Sequence, residues 1–223
     1  MQEISVKDIL SQTCPLSKKY IPDLQQLVAL VRKLQAAGYV VGIVGGVWDL
    51  LHPGHARYLA LAKKECDVLI VVVDSDELVR HRKGPHRPVV PESERIEMLS
   101  YLGGIVDIIT LRPLSSHVED REYLNKEIKP DVCILSTSTG DIDEEQRMVI
   151  AQNVKRVAVF LPQAETSSSA RIRLLAIDGA TPLAQSVTEL VEGKAEQVAQ
   201  ILATLPQDMR MLIESHMTKL KGI

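Results

Sequence analysis

The chain has 223 residues and a formal net charge of −3, with 45% hydrophobic and 25% charged residues. That profile fits a folded domain large enough to bury its own core, and the mildly acidic balance argues against nucleic acid as a partner. Three scattered cysteines, Cys14, Cys66 and Cys133, show neither CxxC pairing nor zinc-ligand spacing. With no basic-then-apolar leader and no apolar run of bilayer length, they predict a soluble cytoplasmic protein without a membrane partner.

Residues 1–20 read as a loosely structured arm ending near Pro22, and residues 23–37 carry a helical apolar stripe that Gly38 stops. Tyr39-Val40-Val41-Gly42-Ile43-Val44 reads as a first buried strand, and Asp67 to Val73 as a second, since nearly unbroken β-branched runs mark parallel strands. Asp74-Ser75-Asp76-Glu77 ends that strand and caps a short helix, after which Arg80 to Pro88 reads as a basic loop. A helix opens at Pro91 and runs to about Leu102. Strands follow at 105–110, 132–135 and 156–161, alternating with helices near 118–127 and 141–153.

This alternation predicts an α/β fold: a Rossmann-like doubly wound parallel sheet of about five strands, with an N-terminal helix and a C-terminal helical extension. The expected organisation is an arm and helix over 1–37, a central domain over 38–178 and the extension over 179–223. Past Asp178-Gly179-Ala180-Thr181-Pro182, residues 183–205 and 207–221 read as two amphipathic helices joined at Pro206, a hairpin that covers the domain or pairs two subunits.

Between the first strand and the next helix lies Gly45-Gly46-Val47-Trp48-Asp49-Leu50-Leu51-His52-Pro53-Gly54-His55. A helix start presents unpaired N–H groups and the positive end of a dipole, where phosphate settles. Pro53 suits the first helical position, and Gly54 allows close approach of a ligand to the backbone. In a chain with 6 His and 12 Gly, a chance His-x-Gly-His is expected on the order of once in a hundred such sequences. His52 and His55 are therefore candidates to contact a nucleoside triphosphate and to stabilise charge at the α-phosphorus as pyrophosphate leaves.

Other residues converge on the same end of the sheet. Lys83, in the basic loop, is placed to close over phosphates, and Arg87 and Arg95 are candidates for a substrate phosphate, with pairing to Glu92 or Glu94 as the alternative for Arg95. Ser167, Ser168 and Ser169, with Arg171, open a helix past the last strand and can cap it or reach a phosphate. Val47, Trp48 and Gly54 complete the candidate nucleotide-binding set, Trp48 packing under the nucleotide or in the core. Asp49 can orient an imidazole or sit near Mg²⁺.

The segment from Gly45 to Ile109, with HPGH and the serine-rich 167–169 stretch, resembles the cytidylyltransferase-like nucleotidyltransferases. Lys83-Gly84, Arg87-Pro88-Val89, Pro91, Arg95 and Val106-Asp107 look most like the heptose 1-phosphate adenylyltransferase branch, with the glycerol-3-phosphate cytidylyltransferases next. The resemblance covers about residues 25–177. It implies ATP or CTP as the donor, Mg²⁺ carried on the nucleotide phosphates, a sugar- or polyol-phosphate acceptor, and a homodimer. It also implies His52, His55, Lys83 and the Ser167–Ser169 region at the nucleotide. Relatives often carry a Gly-Gly-Asp or similar turn after the fourth strand, where this chain has Ser136-Thr137-Ser138-Thr139-Gly140-Asp141. That departure leaves open an alternative, a catalytically decayed nucleotide-binding regulatory or assembly protein on the same fold. A class I aminoacyl-tRNA synthetase also uses a histidine pair, but neither a KMSKS-like lysine loop nor a tRNA-binding surface is visible here.

Overall fold

A computed structural model describes Ile9 and residues 16–114, 123–137, 144–164, 168–204, 206, 207 and 209–211. The chain divides into two compact units, Met1–Ser168 and Ser169–Ile223. In the first, α1 (Leu16–Lys19) and α2 (Leu24–Ala36) precede β1 (Val41–Gly46), α3 (Pro53–Lys63), β2 (Val68–Asp74) and α4 (Asp76–Lys83). Then follow α5 (Glu92–Ser100), β3 (Ile108–Arg112), α6 (Tyr123–Ile128), β4 (Val132–Ser136), α7 (Glu144–Ala151) and β5 (Arg156–Phe160).

The five strands form one sheet in the order β3-β2-β1-β4-β5, and every pairing is parallel. The predicted doubly wound α/β architecture is therefore the observed one. Strand periodicity divides the core. Val41, Ile43, Val68, Ile70 and Val72 pack with Leu27, Val31 and Leu34 of α2 and Ile128 of α6. Val44, Leu69, Val71 and Val73 face the other way, onto Leu59 and Ala62 of α3 and Ile96 and Leu99 of α5. A strand covered on both faces favours apolar residues in succession, and β2 is apolar from Val68 to Val73 and buried along its whole length, Asp74 at its end being paired with Arg112.

Several local expectations shift. Residues 16–21 are not a loose arm: Lys19 is 2% exposed, its amine donates to the Ser100 and Val106 carbonyls at 3.2 and 2.9 Å, and Ile21 is fully buried. Tyr20 bridges in parallel to Ile109, so this segment protects the β3 edge. Of the basic run from Arg80 to Pro88 expected as a loop, Arg80 to Lys83 are helical, the end of α4, and the rest is loop. The Ser75 hydroxyl accepts from the Leu78 N–H, acids occupy the first turn and bases the last, an arrangement that suits the helix dipole. Strand three begins at Ile108 rather than 105: the Leu69 N–H donates to the Asp107 carboxylate at 2.7 Å, so a side chain stands where a longer strand would offer a backbone carbonyl.

The helix expected to begin at Leu183 is part of α8 (Ser168–Thr204), which continues through Gly179 and Pro182. Proline removes one backbone donor and crowds the carbonyl four residues back, and the backbone nonetheless runs on as helix through it. Along α8, Leu175, Ile177, Leu190, Val191 and Ile201 are exposed. Most of the expected helix 207–221 lies outside the described residues. No helix among the described residues is long and apolar enough to cross a membrane.

Candidate functional site

β1 lies between β2 and β4, where the direction of winding reverses, and sheets of this kind bind ligands beyond the carboxyl ends of the strands at that point. Its first four residues are buried, but Gly45 is exposed and Gly46 half-buried, so backbone is uncovered at the carboxyl end of a central strand. The turn that follows holds two non-glycine residues in the left-handed region, Trp48 at φ 59° and Leu50 at φ 47°. Each costs on the order of 1–3 kcal/mol and persists only where its surroundings hold it.

Trp48 is one of those supports and belongs to the core. It is 5% exposed, and its indole N–H donates to the Val72 carbonyl at 2.9 Å. A Cβ at Gly46 would stand 3.0 Å from Trp48 Cε2, so glycine is what lets the indole fold back under the strand. Tyr58, a residue the sequence reading passed over, stacks on the indole at 6.3 Å and donates its hydroxyl to the Ile134 carbonyl at 3.2 Å. Burial pushes its phenol far above the ordinary range. Its place three residues after His55, one turn along the same helix face, was the available signal.

The histidines close the turn by capping α3 reciprocally. His52 is the N-cap, and its Nδ1 accepts from the Gly54 N–H at 3.1 Å. His55 Nδ1 accepts from the His52 N–H at 3.3 Å. The ring centroids are 4.0 Å apart, and Trp48 meets the His55 ring edge-on at 5.6 Å. A nitrogen that accepts carries no proton, so each neutral ring holds its proton on Nε2. Both rings are thus fixed as Nε2 donors at a helix N-terminus, the polarity a phosphate oxygen requires.

Gly54 has a different reason from the one expected. A Cβ there would come within 2.5 Å of Ala164 Cβ and 2.9 Å of His52 Cε1, so the space is needed by the chain following β5 and by the imidazole itself.

Asp49 is corrected more sharply. Its side chain is 1% exposed, and Oδ2 accepts from Arg87 Nε at 3.1 Å, Arg87 Nη2 at 2.9 Å and the Val89 N–H at 3.0 Å. Oδ1 accepts from the Val90 N–H at 3.0 Å. With both oxygens engaged inside the fold, Asp49 anchors the loop after α4 instead of holding a cation or an imidazole. Arg87, expected on a substrate phosphate, is committed to this carboxylate.

Arg95 is likewise structural. Its side chain is 1% exposed; it donates to the Val90 carbonyl at 2.9 Å, to the Val47 carbonyl, and to Asp76 Oδ1 at 2.6 Å. Its partner is Asp76, not Glu92 or Glu94; Glu92 instead accepts from the Asp76 N–H at 2.7 Å. The same Arg95 that reads as a phosphate ligand in sequence thus ties the half-buried Val47 to α4 and α5.

Lys83 is exposed in the last turn of α4, and Gly84 follows at φ 94°, a conformation that favours glycine. Ser168 is 9% exposed and its hydroxyl donates to the Asp49 carbonyl at 2.8 Å, joining the first residue of α8 to the turn. Ser167 and the side chains of Ser169 and Arg171 lie outside the described residues. Among the described residues no group of three or more His, Cys, Asp or Glu side chains is placed to hold a metal ion.

The cytidylyltransferase-like family profile matches residues 43–174. The bifunctional protein HldE of Desulfatibacillum aliphaticivorans is 35% identical over 151 residues, which is 67% of this chain and 29% of that protein. The bifunctional protein HldE of Caulobacter sp. (strain K31) is 40% identical over 116 residues, 51% of this chain and 22% of that protein. The chain thus spans less than a third of the length of these curated relatives. The lipopolysaccharide core biosynthesis protein from Thermoplasma volcanium GSS1 is 30% identical, with a TM-score of 0.47, covering 58% of this chain and 100% of that one. A profile match over more than half the chain, spanning the sheet and the histidine turn just described, identifies this protein as a member of the cytidylyltransferase-like family.

Proposed function

We propose that this protein is a nucleotidyltransferase that moves AMP or CMP from ATP or CTP onto a sugar- or polyol-phosphate and releases pyrophosphate. The observation that carries the reading is the fixed pair of Nε2 donors on His52 and His55, beside the uncovered backbone of Gly45 and Gly46. A phosphate oxygen of the acceptor attacks the α-phosphorus, the bond from that phosphorus to the β-phosphate bridge breaks, and pyrophosphate departs. Negative charge builds on the oxygens around the α-phosphorus as it does so. Two preorganised donors and the helix N-terminus stabilise that charge without reorganising.

Lys83 is the residue we assign to close over the phosphates, with Val47 lining the nucleotide. Mg²⁺ would arrive on the triphosphate, since the described carboxylates form no cage for it and this ion is ordinarily held through substrate phosphates. Bound there, it would offset charge on the departing pyrophosphate. Membership in the cytidylyltransferase-like family and the identity to the HldE proteins support the reaction class. The resemblance to the heptose 1-phosphate adenylyltransferase branch favours a sugar phosphate as acceptor. We assign the chain to the cytoplasm and expect a homodimer, which light scattering after size exclusion tests.

Pyrophosphate release, measured across ATP, CTP and a panel of phosphorylated sugars and polyols, tests the proposal. Turnover with one donor–acceptor pair supports it. Tight nucleotide binding without turnover for any pair would instead make the protein a regulator on a transferase scaffold.

A further inference from the structure

The turn that carries the histidines is held from outside itself, by the loop of residues 87–90. Asp49 stands between the two left-handed residues, Trp48 and Leu50. Its carboxylate gathers the Arg87 guanidinium and the N–H groups of Val89 and Val90. Its carbonyl accepts from Ser168. Arg95 closes the circuit, because it binds the carbonyls of Val90, in the loop, and Val47, in the turn. Residues 87–90 are therefore joined to residues 47–49 twice: directly, with the Arg87, Val89 and Val90 donors meeting the Asp49 carboxylate, and indirectly, through Arg95, which donates to a carbonyl on each.

Both carboxylate and guanidinium are largely buried, with side chains 1% and 12% exposed. A buried pair of this kind specifies one arrangement more than it adds stability, because desolvation offsets much of its attraction. What it specifies here is the strained turn, and the turn ends at His52. The direction of each imidazole depends on the His52 backbone, since one ring caps the Gly54 N–H and the other accepts from the His52 N–H.

We infer that Asp49 and Arg87 are positioning residues of the proposed transfer reaction: through the 87–90 loop they hold the β1–α3 turn in the one conformation that aims both imidazoles at the nucleotide. This rests on the functional reading above and deepens it. Neither residue touches substrate. The clamp also fixes how far residues 84–90, and Lys83 before them, stand from the histidine turn, so one buried carboxylate sets the spacing of the candidate phosphate ligands.

The test uses the full chain with Asp49→Asn and Arg87→Lys. The first substitution presents an amide N–H to a site built from donors, and the second keeps the charge but not the paired contact. Each variant is expected to lower kcat about tenfold or more while nucleotide KM changes less than about threefold, as misplacement of catalytic groups does. Nitrogen-15 NMR of the histidine rings provides a readout independent of turnover. Wild type should show His52 and His55 in the Nε2–H form, and both variants should shift or broaden those signals. Unchanged ring signals, or unchanged kcat with only a lower melting temperature, overturn the inference. A raised acceptor KM at unchanged kcat in Arg87→Lys also overturns it, making Arg87 a substrate ligand. If Asp49→Asn does not fold, Arg87→Lys decides alone. Absence of turnover in wild type would remove the functional reading, and the ring signals would still report whether the clamp orients the imidazoles.

Discussion

Arg95→Met separates a buried strut from a phosphate ligand in a single substitution. The wild-type side chain, 1% exposed, reaches the Val90 carbonyl, the Val47 carbonyl and the Asp76 carboxylate. Methionine fills much of the same volume and donates nothing. Two carbonyls lose their donor, and Asp76 loses its counter-charge. Breaking one side of a buried pair costs about 3–5 kcal/mol. Asp76 retains 21% side-chain exposure, so water relieves part of that penalty and the lower end, about 3 kcal/mol, is expected. In a protein of this size each kcal/mol moves Tm by about 2–4 °C, which gives a fall of roughly 6–12 °C. Circular dichroism melts at fixed pH, with inorganic phosphate titrated in parallel, provide the measurement. A shift below about 2 °C together with weakened phosphate binding would refute the reasoning, since Arg95 would then be facing ligand.

His55→Ala is expected to cut pyrophosphate release at least about a hundredfold while the far-ultraviolet spectrum stays native, the loss typical of one missing transition-state donor. A variant that retains most of its activity would remove the histidine mechanism. Gly54→Ala places a Cβ 2.5 Å from Ala164 Cβ and 2.9 Å from His52 Cε1, and overpacking of that kind costs about 1–3 kcal/mol. Because one clash is with the His52 imidazole, to which we assign a part in the transfer, turnover should fall alongside stability in denaturant titrations; a variant that melts like wild type at full activity would show the space is not needed. At the opposite end of the sheet, burial pushes the Asp131 carboxyl up, but the Lys155 amine, the Val41 N–H and the Gln35 amide outweigh it and hold it below its ordinary value. A depressed carboxyl stabilises the fold fully above its unfolded pKa, and that contribution disappears as pH falls from there through the folded value. Asp131→Asn should therefore flatten the acid limb of a stability–pH profile and lower stability at neutral pH; a profile parallel to wild type down to acid unfolding would contradict this.

Order of elements, parallel winding and the position of the histidine turn were all readable from residues near one another in the chain. β2 announces itself because a strand covered on two faces shows no polar alternation, and Val68 to Val73 form one unbroken apolar run. The histidine turn does so because helix capping is local: His52, Pro53, Gly54 and His55 settle their geometry within four residues. Those same features are why the family resemblance rests there.

Partner choice among charged residues was not readable, because it depends on what the fold brings across the sheet. Asp49, Arg87 and Arg95 look in sequence like a metal ligand and two phosphate ligands. Asp49 meets Arg87, and Arg95 meets Val47 and Asp76, only once the loop after α4 lies against the β1–α3 turn. Lys19 and Ile21, in an arm with too few apolar residues to show a period, are buried by strand β3 and the end of α5, far along the chain. Local chemistry thus decided the geometry of the histidine turn. Desolvation, which a charge experiences only after distant segments close around it, decided which ionic groups are committed inside the fold.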